Sequence, residues 1–312
     1  GQPCLHLGQL ARGDADLVGM TRAHIADPEL IAKTLAGQAD RVRPCIACNQ
    51  GCVGNLEGPA ARMSCVVNPG AGAELTLGDR KLAPAASRRR IVVIGGGPAG
   101  MEAARSAAMR GHAVILFEAQ PYIGGTLRLA ARAPTRHGMA DIAEWMEREI
   151  YRLGVDVRLS TWVDADEVLA ESPDLVILAT GASPRMDGVQ LSNPGDPVTG
   201  MDLSHVLSSH DLFTLRERPA GRDAVVIDDL GHFEGIAVAE KLMALGFAVS
   251  YVTRHTAFAP LVETAIMTEP ALQRLSKGEV VEIDRAKSQV YIKADVKTVY
   301  ACDEKSKGIG IG

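Results

Sequence analysis

Four of the six cysteines in this chain lie in one short stretch, at a spacing that suits a metal centre. They are Cys45, Cys48, Cys52 and Cys65. Thiolates at this spacing can surround one cluster of iron and sulfide, which needs soft, deprotonated sulfur ligands. Gly51 gives the backbone room to turn. A structural zinc site is an alternative, although zinc sites usually contain two separated Cys pairs. Disulfides are a further alternative, but three crowded cysteines and no secretory signal fit a reducing, intracellular compartment better.

A glycine-rich motif comes directly after a run of apolar residues that is typical of a buried parallel strand. The strand covers Ile91–Ile94 and is followed by glycines at 95, 97 and 100. These glycines allow a tight turn, close approach of backbone amides to a pyrophosphate, and close helix–strand packing. Glu118 ends the next strand, where it can accept hydrogen bonds from ribose hydroxyls. We therefore predict a dinucleotide site rather than a simple turn, with contacts at Gly95, Gly97, Gly100 and Glu118.

A second strand–turn–helix pattern begins at Ala224–Ile227 and lacks this glycine spacing. Its turn contains Asp228 and Asp229 where a pyrophosphate would need amides and open space, and like charges in contact are costly. The helix that ends before Gly246 and the strand Ala248–Val252 are both present in the pattern. We therefore predict that the fold persists here and that NAD binding is lost.

Composition limits the remaining possibilities. The chain has 312 residues, of which 46% are apolar and 23% charged, so we expect about two soluble globular domains. A net charge of -5 argues against nucleic acid as a partner. No apolar run approaches the roughly 20 residues that a membrane span needs. We therefore expect a cytoplasmic protein without a membrane partner.

The flanking segments are less regular. Residues Ala15–Met20 predict a short buried strand, Thr21–His24 the loop that leaves it, and Asp27 the start of a helix. A helix from Gly138 keeps apolar residues at helical spacing, and Trp145 on it indicates packing rather than cofactor stacking. Beyond residue 276 we expect a hairpin followed by a frayed end.

The segment Asp14–Asn68 resembles a known family in two runs and in the four residues after the last cysteine. The runs are Asp-Leu-Val-Gly-Met-Thr-Arg-Ala-His-Ile-Ala-Asp-Pro and Arg-Pro-Cys-Ile-Ala-Cys-Asn-Gln-Gly-Cys, and Val-Val-Asn-Pro comes directly after Cys65. They resemble the iron–sulfur flavoenzymes that include trimethylamine dehydrogenase, histamine dehydrogenase and 2,4-dienoyl-CoA reductase, whose N-terminal part is like old yellow enzyme. The resemblance covers about residues 14–275. It implies an α/β chain with the last βα unit of an FMN-binding TIM barrel, an iron–sulfur segment, and FAD/NAD(P)-binding Rossmann-like domains.

The resemblance implies domain boundaries and roles for individual residues. It makes the four cysteines ligands of a [4Fe–4S] cluster and places Arg22 at the FMN phosphate, the alternative for Arg22 being an exposed pair with Asp27. Gly125 belongs to a glycine pair that FAD-linked reductases bring to the phosphates, unless it is a simple loop, and Gly181 ends a strand near the dinucleotide. Cys4 and Cys302 are expected to be inert.

The implied domains are a barrel remnant at 1–44, the cluster segment at 45–75, a linker at 76–90, an FAD- or ADP-binding domain at 91–221, a degenerate NAD-type domain at 222–275, and a divergent tail at 276–312.

The resemblance leaves three possible functions. The first is the electron-relay part of an amine dehydrogenase, in which electrons from a small amine pass from FMN through the cluster to an electron-transfer flavoprotein; Asp228 and Asp229 favour it. The second is an NAD(P)H-dependent ene-reductase acting on an enoyl substrate. The third is a non-catalytic subunit that carries a cluster and a nucleotide. The family places seven further barrel strands before this segment, so we expect the chain alone to be incomplete for catalysis. We also expect the complete enzyme to be a homo-oligomer.

Overall fold

A computed structural model describes residues 10–56, 61–191, 194–195 and 197–276, and the backbone of three strands beyond residue 281. The chain divides into two compact units. Unit 1 comprises residues 1–52, 60–131 and 137–181, and unit 2 comprises residues 53–59, 132–136 and 182–312. Within the described part of the chain, no helix has the length and apolar character needed to cross a membrane.

Unit 1 is built on a four-stranded parallel sheet with the strand order β3-β2-β1-β4. Its first two strands are continuous apolar runs, as expected for strands covered on both faces. The predicted strand Ile91–Ile94 is confirmed to within one residue at each end, whereas the strand predicted to end at Gly181 ends three residues earlier, at Leu178. The strands are β1 Arg90–Ile94, β2 Ala113–Phe117, β3 Asp156–Arg158 and β4 Leu175–Leu178.

Helices cover this sheet, and the two longest pack against each other. Ala104 of one of them is fully buried in the same core cluster as Trp145 of the other. The predicted packing role of Trp145 is confirmed, since this residue is 2% exposed in the core. The helices are α1 Thr21–Ala26, α2 Leu30–Leu35, α3 Pro98–Met109, α4 Thr126–Ala130, α5 Gly138–Arg152 and α6 Ala165–Ala170.

The cysteine segments lie on the same hydrophobic core as the nucleotide-type sheet. Cys45, Ile46 and Cys65 pack against a cluster that includes Val93 of β1 and Trp145 of α5. The predicted cluster segment and the first Rossmann-like element of unit 1 are therefore supported by a single core.

The start of the described chain differs from the prediction. Residues 15–20, predicted as a strand, are irregular, and Thr21–His24, predicted as a loop, belongs to α1. An isolated apolar run cannot form a strand without a neighbour for its backbone groups, and none of the described sheets includes residues 15–20. The last strand of a barrel is therefore not formed here.

Unit 2 contains the predicted second strand–helix–strand element. Its parallel sheet has the order β5-β6-β9, and a separate antiparallel pair, β7 and β8, confirms the predicted hairpin strands. The third parallel strand was not predicted, and residues 302–312 lie outside the described part. The elements are β5 Asp223–Asp228, β6 Ala248–Thr253, β7 Glu282–Asp284, β8 Gln289–Tyr291, β9 Val296–Ala301, α7 Ser209–Thr214, α8 Phe233–Ala244 and α9 Thr268–Leu275.

Candidate metal centre and nucleotide sites

The four predicted cysteine ligands line one cavity in unit 1. The cavity has a volume of about 300 Å³, which includes space open to solvent. Cys48 is buried and the other three are half-buried, and all four are free thiols. The disulfide alternative is therefore wrong for these residues. The cavity is lined by Arg22, Ile25, Cys45, Ile46, Cys48, Asn49, Gly51, Cys52, Cys65, Val66 and Val67.

Residues 45–52, which we call the cysteine loop, direct backbone N–H groups at the sulfurs. Ala47 and Asn49 have the positive φ angles 53° and 55°, and such alternation turns successive amides toward one side of a loop. The amide of Ala47 donates to Cys45 Sγ at 3.4 Å, and the amide of Gln50 donates to Cys48. Donors of this kind stabilise thiolates and tune iron–sulfur clusters.

Gly51 brings the fourth cysteine to the loop. The Ser64 amide donates to the Gly51 carbonyl at 2.7 Å. A Cβ on Gly51 would lie 2.8 Å from Ser64 Oγ and 3.0 Å from the Ser64 carbonyl atoms, so this approach requires glycine. Residues 64–68, the Cys65 segment, therefore reach the cavity, where the amides of Val67 and Asn68 donate to Cys65.

Negative charge on the cysteine sulfurs in this cavity is unfavourable unless a cation balances it. Burial raises the pKa of the Cys48 and Cys65 thiols, and the neighbouring thiols raise it further, while the backbone donors oppose the shift. Among the described residues, no group of three or more His, Cys, Asp or Glu side chains is gathered closely enough to hold one metal ion. In a four-iron cluster each thiolate binds a different iron, so the sulfurs stand farther apart than around a single ion. The soft donors, the cavity and the N–H groups fit such a cluster.

Arg22 lies on the same cavity and donates to Asn49 Oδ1 at 2.7 Å. The alternative partner, Asp27, accepts instead from Lys33 Nζ at 2.6 Å and from the Arg43 amide at 2.8 Å. Arg22 is thus held beside the cysteine loop, and its contact with an FMN phosphate stays a prediction.

The turn between β1 and α3 has the close contacts that its glycines predict. Gly95 has φ 106°, and a Cβ there would lie 2.3 Å from the Ala179 carbonyl oxygen. A Cβ on Gly100 would lie 1.9 Å from the Gly95 carbonyl oxygen. Gly97 differs, because a Cβ there would meet no atom within 4 Å. The turn is therefore closely packed at Gly95 and Gly100 and open at Gly97, where the fingerprint places a pyrophosphate.

The other predicted nucleotide contacts lie around this turn. Glu118 is 9% exposed, and one of its carboxylate oxygens accepts from the Gly96 amide at 2.7 Å. Gly124 donates to the Gly96 carbonyl at 2.7 Å, and a Cβ on Gly125 would lie 3.1 Å from Gly97 Cα. The glycine pair therefore packs on the first turn. Gly181 comes after the Ala179 segment with φ 78°.

The corresponding turn in unit 2 is filled by a carboxylate. Asp228, 5% exposed at the end of β5, accepts from the amides of Leu230 and Gly231 at 3.1 and 3.0 Å. It also accepts from the Tyr251 hydroxyl at 2.6 Å. Burial, with the charge and hydrogen bond of Asp228, raises the pKa of that phenol far above its usual value. Asp229 pairs with Arg254 at 3.1 Å.

A buried polar network next to the cysteines was not predicted. Arg43, which is 4% exposed, donates to Asn68 Oδ1 at 3.0 Å and to Asp79 Oδ2 at 3.1 Å. Asp79 also accepts from Arg105 of α3 at 2.7 Å. The Arg43 guanidinium lies 4.7 Å from the centre of the Trp145 ring. A charged residue directly before Pro44-Cys45 was the only sequence signal for this network.

Comparison with known proteins shows similarity to several oxidoreductases. Residues 90–159 match a family described as FAD dependent oxidoreductase. A protein of Rhizobium meliloti named "Probable N-methylproline demethylase" is 38% identical over 87% of this chain and 38% of its own length. The N,N-dimethylglycine/sarcosine dehydrogenase of Chromohalobacter salexigens is 38% identical over 92% of this chain and 40% of its own length. The solved structure of 6-hydroxypseudooxynicotine amine oxidase from Pseudomonas geniculata N1 aligns with a TM-score of 0.82 and 33% identity, over 89% of this chain and 41% of that chain.

The solved structure among these relatives shares the fold of this chain over the aligned part. The similarity confirms that the chain is related to oxidoreductases named as demethylases, dehydrogenases and amine oxidases. The chain spans about two fifths of the length of the curated relatives it matches.

Proposed function

We propose that this chain is the electron-relay and nucleotide-binding portion of an iron–sulfur flavoprotein that oxidises a small amine. The observation that carries this proposal is the convergence of four free thiols on one cavity, with backbone N–H groups donating to three of them. The ligands would be Cys45, Cys48, Cys52 and Cys65. When bound there, a [4Fe–4S] cluster would supply one-electron transfer.

The open turn at Gly97 supports a second bound group, FAD or ADP. The helix α3 begins at this turn, and first-turn amides lack acceptors within their own helix. Glu118 and the Gly124–Gly125 pair lie beside the turn and would contact the ribose and the phosphates. The match to the FAD dependent oxidoreductase family covers residues 90–159, which include these residues but not Gly181.

The relatives indicate the substrate class. Two of them are named for the oxidation or demethylation of N-methylated amino acids. We therefore propose oxidative N-demethylation or dehydrogenation of a small methylated amine by the complete enzyme. That enzyme would bind FMN with a contribution from Arg22 and would deliver electrons to an electron-transfer flavoprotein.

The unit 2 turn favours this function over an NAD(P)H-dependent ene-reductase. A pyrophosphate at this turn would use the amides after β5, but the Asp228 carboxylate already accepts from the amides of Leu230 and Gly231. A dinucleotide would have to displace that carboxylate and approach its negative charge, as well as that of Asp229. We therefore expect this chain to pass electrons out of the enzyme and not to receive them as hydride from NAD(P)H.

The test is an anaerobic purification followed by assays of iron, sulfide, zinc, flavin and adenine nucleotide on one sample. We expect about four irons and four sulfides per chain and a stoichiometric adenine nucleotide. Zinc in place of iron would contradict the cluster assignment. Titration of the flavin-loaded enzyme with NADPH should leave the flavin oxidised, and bleaching of the flavin absorbance would favour the ene-reductase. A cluster with a nucleotide but no flavin in the complete enzyme would favour the non-catalytic subunit.

A further inference from the structure

We propose that Arg43 is a positioning residue that holds the cysteine loop and the Cys65 segment at a fixed separation. The inference rests on the proposed function, because it concerns how this chain keeps the ligands of a cluster in place. Arg43 precedes Cys45 by two residues, and the spacing of the cysteines gives it no role of its own.

One side chain joins both cysteine-bearing segments. Arg43 Nη1 donates at 3.0 Å to Oδ1 of Asn68, which lies three residues after Cys65. Asn68 is fixed in turn, because its Nδ2 donates to the Ile25 carbonyl at 2.8 Å and its Oδ1 accepts from the Gly70 amide at 3.1 Å. The distance between the first and fourth cysteines therefore depends on one buried hydrogen bond as well as on the Gly51–Ser64 approach.

The remaining contacts hold the Arg43 guanidinium in one orientation. Its Nη2 donates to Asp79 at 3.1 Å, and its flat face lies over Trp145 of α5. The amide of Arg43 donates to Asp27 Oδ2 at 2.8 Å. A planar guanidinium can donate in two directions while stacking on a ring, whereas a lysine ammonium of the same charge cannot make all three contacts.

The network also reaches the nucleotide-binding helix. Asp79 is shared with Arg105 of α3, which is 1% exposed and also pairs with Glu102 at 2.7 Å. Burial alone would raise the pKa of Asp79, but the hydrogen bond and charge of Arg105, with Arg43 and Lys33, lower it. The Asp79 carboxylate therefore stays charged at neutral pH and keeps Arg43 oriented. Supporting groups of this kind commonly govern how firmly a metal centre is held.

The experiment compares Arg43→Lys with Arg152→Lys in anaerobically purified protein. Arg152 is a matched control, because it makes a two-bond pair with Glu149 at 2.9 and 2.7 Å on α5 without contacting either cysteine segment. Three properties are measured: the rate of iron loss to a chelator, the electron paramagnetic resonance spectrum of the reduced sample, and the thermal unfolding midpoint. We expect Arg43→Lys to lose iron at least ten times faster and to give an altered spectrum. Arg152→Lys should match the wild type in both.

A second variant keeps the proposal testable if Arg43→Lys does not fold. Asn68→Ala removes the link between the segments but leaves Arg43 its contacts with Asp79 and Trp145, so it should also accelerate iron loss. The two changes should not be additive: iron loss from the double variant should be slower than the product of the two single effects predicts, since both changes remove the Arg43–Asn68 hydrogen bond. Wild-type rates and spectra in Asn68→Ala, or a lowered unfolding midpoint as the only effect of Arg43→Lys, would overturn the role of Arg43. Absence of iron from the wild type would instead overturn the proposed function.

Discussion

The hydroxyl of Tyr251 donates a 2.6 Å hydrogen bond to a carboxylate oxygen of Asp228. Tyr251 comes from the middle of β6 and is fully buried, whereas Asp228 ends the neighbouring strand β5. A Cβ on Gly235 of α8 would lie 2.1 Å from the same hydroxyl, so the helix packs directly on this pair. The Tyr251 hydroxyl on the neighbouring strand β6 therefore holds the Asp228 carboxylate in the unit 2 turn.

Tyr251→Phe is expected to destabilise the protein. The change removes a donor from a buried carboxylate, and hydrogen bonds to charged groups contribute about 1.5–3 kcal/mol. We expect the free energy of unfolding to fall by about that amount, as measured by urea denaturation with circular dichroism. Tyr122→Phe is the control, because Tyr122 is 44% exposed. Equal losses in the two variants would show that the Asp228 contact contributes nothing specific.

Gly51→Ala is expected to empty the cysteine cavity of iron. The added methyl group would push on the backbone and the hydroxyl of Ser64, and the Cys65 segment would have to move away from the loop. We expect less than half of the wild-type iron content after anaerobic purification, with the nucleotide content unchanged. Gly19→Ala is the control, since a Cβ at Gly19 would meet no atom within 4 Å. Full iron content in Gly51→Ala would contradict the requirement for this close approach.

The elements that were predicted correctly depend on local patterns. Apolar runs fixed the places of β1 and β2, and the spacing of Gly95, Gly97 and Gly100 marked the turn between β1 and α3. Such patterns can be recognised because all of their residues lie within one strand, turn or helix. The strand predicted over Ala15–Met20 is wrong because an apolar run does not reveal whether a neighbouring strand exists to pair with it.

The buried network around the cysteines could not be predicted for a different reason. Arg43 and Asn68 are 25 residues apart, and Asp79 and Arg105 are 26 residues apart. Contacts between single side chains so distant along the chain leave no periodic pattern in the sequence. Residues 76–90 were predicted as a linker because their pattern is irregular, yet within unit 1 Asp79 accepts hydrogen bonds from two buried arginines.

Gly97→Ala is expected to separate nucleotide binding from folding. A methyl group at Gly97 meets open space in the protein, so the free energy of unfolding without nucleotide should change by less than about 1 kcal/mol. The same methyl group would occupy the place where backbone must approach a pyrophosphate. We expect the affinity for ADP or FAD, measured by isothermal titration calorimetry, to fall at least tenfold.

Gly100→Ala provides the contrast, because its Cβ would lie 1.9 Å from the Gly95 carbonyl oxygen. This variant should lose stability even without nucleotide. Unchanged ADP affinity in Gly97→Ala would place the nucleotide elsewhere in the protein.

His232 is expected to make stability depend on pH in the neutral range. It precedes the first residue of α8, where burial, followed by the charge of Arg136, lowers its pKa, while Asp228 and Glu234 oppose the shift. Just below the ordinary histidine pKa of about 6.5, His232 is therefore protonated in the unfolded chain but still neutral in the folded chain. The stability that His232 contributes is present above that pH and is lost as the pH falls through the folded-state pKa.

His232→Gln removes this titration. Urea unfolding at several pH values between 7.5 and 5.5 should show the wild type losing stability more steeply than the variant as the pH falls. His205→Gln serves as the control, because His205 is exposed, and it should keep the wild-type slope. The same slope in the wild type and in His232→Gln would mean that the imidazole is protonated equally in the folded and unfolded chains, and that neither burial nor the charge of Arg136 lowers its pKa.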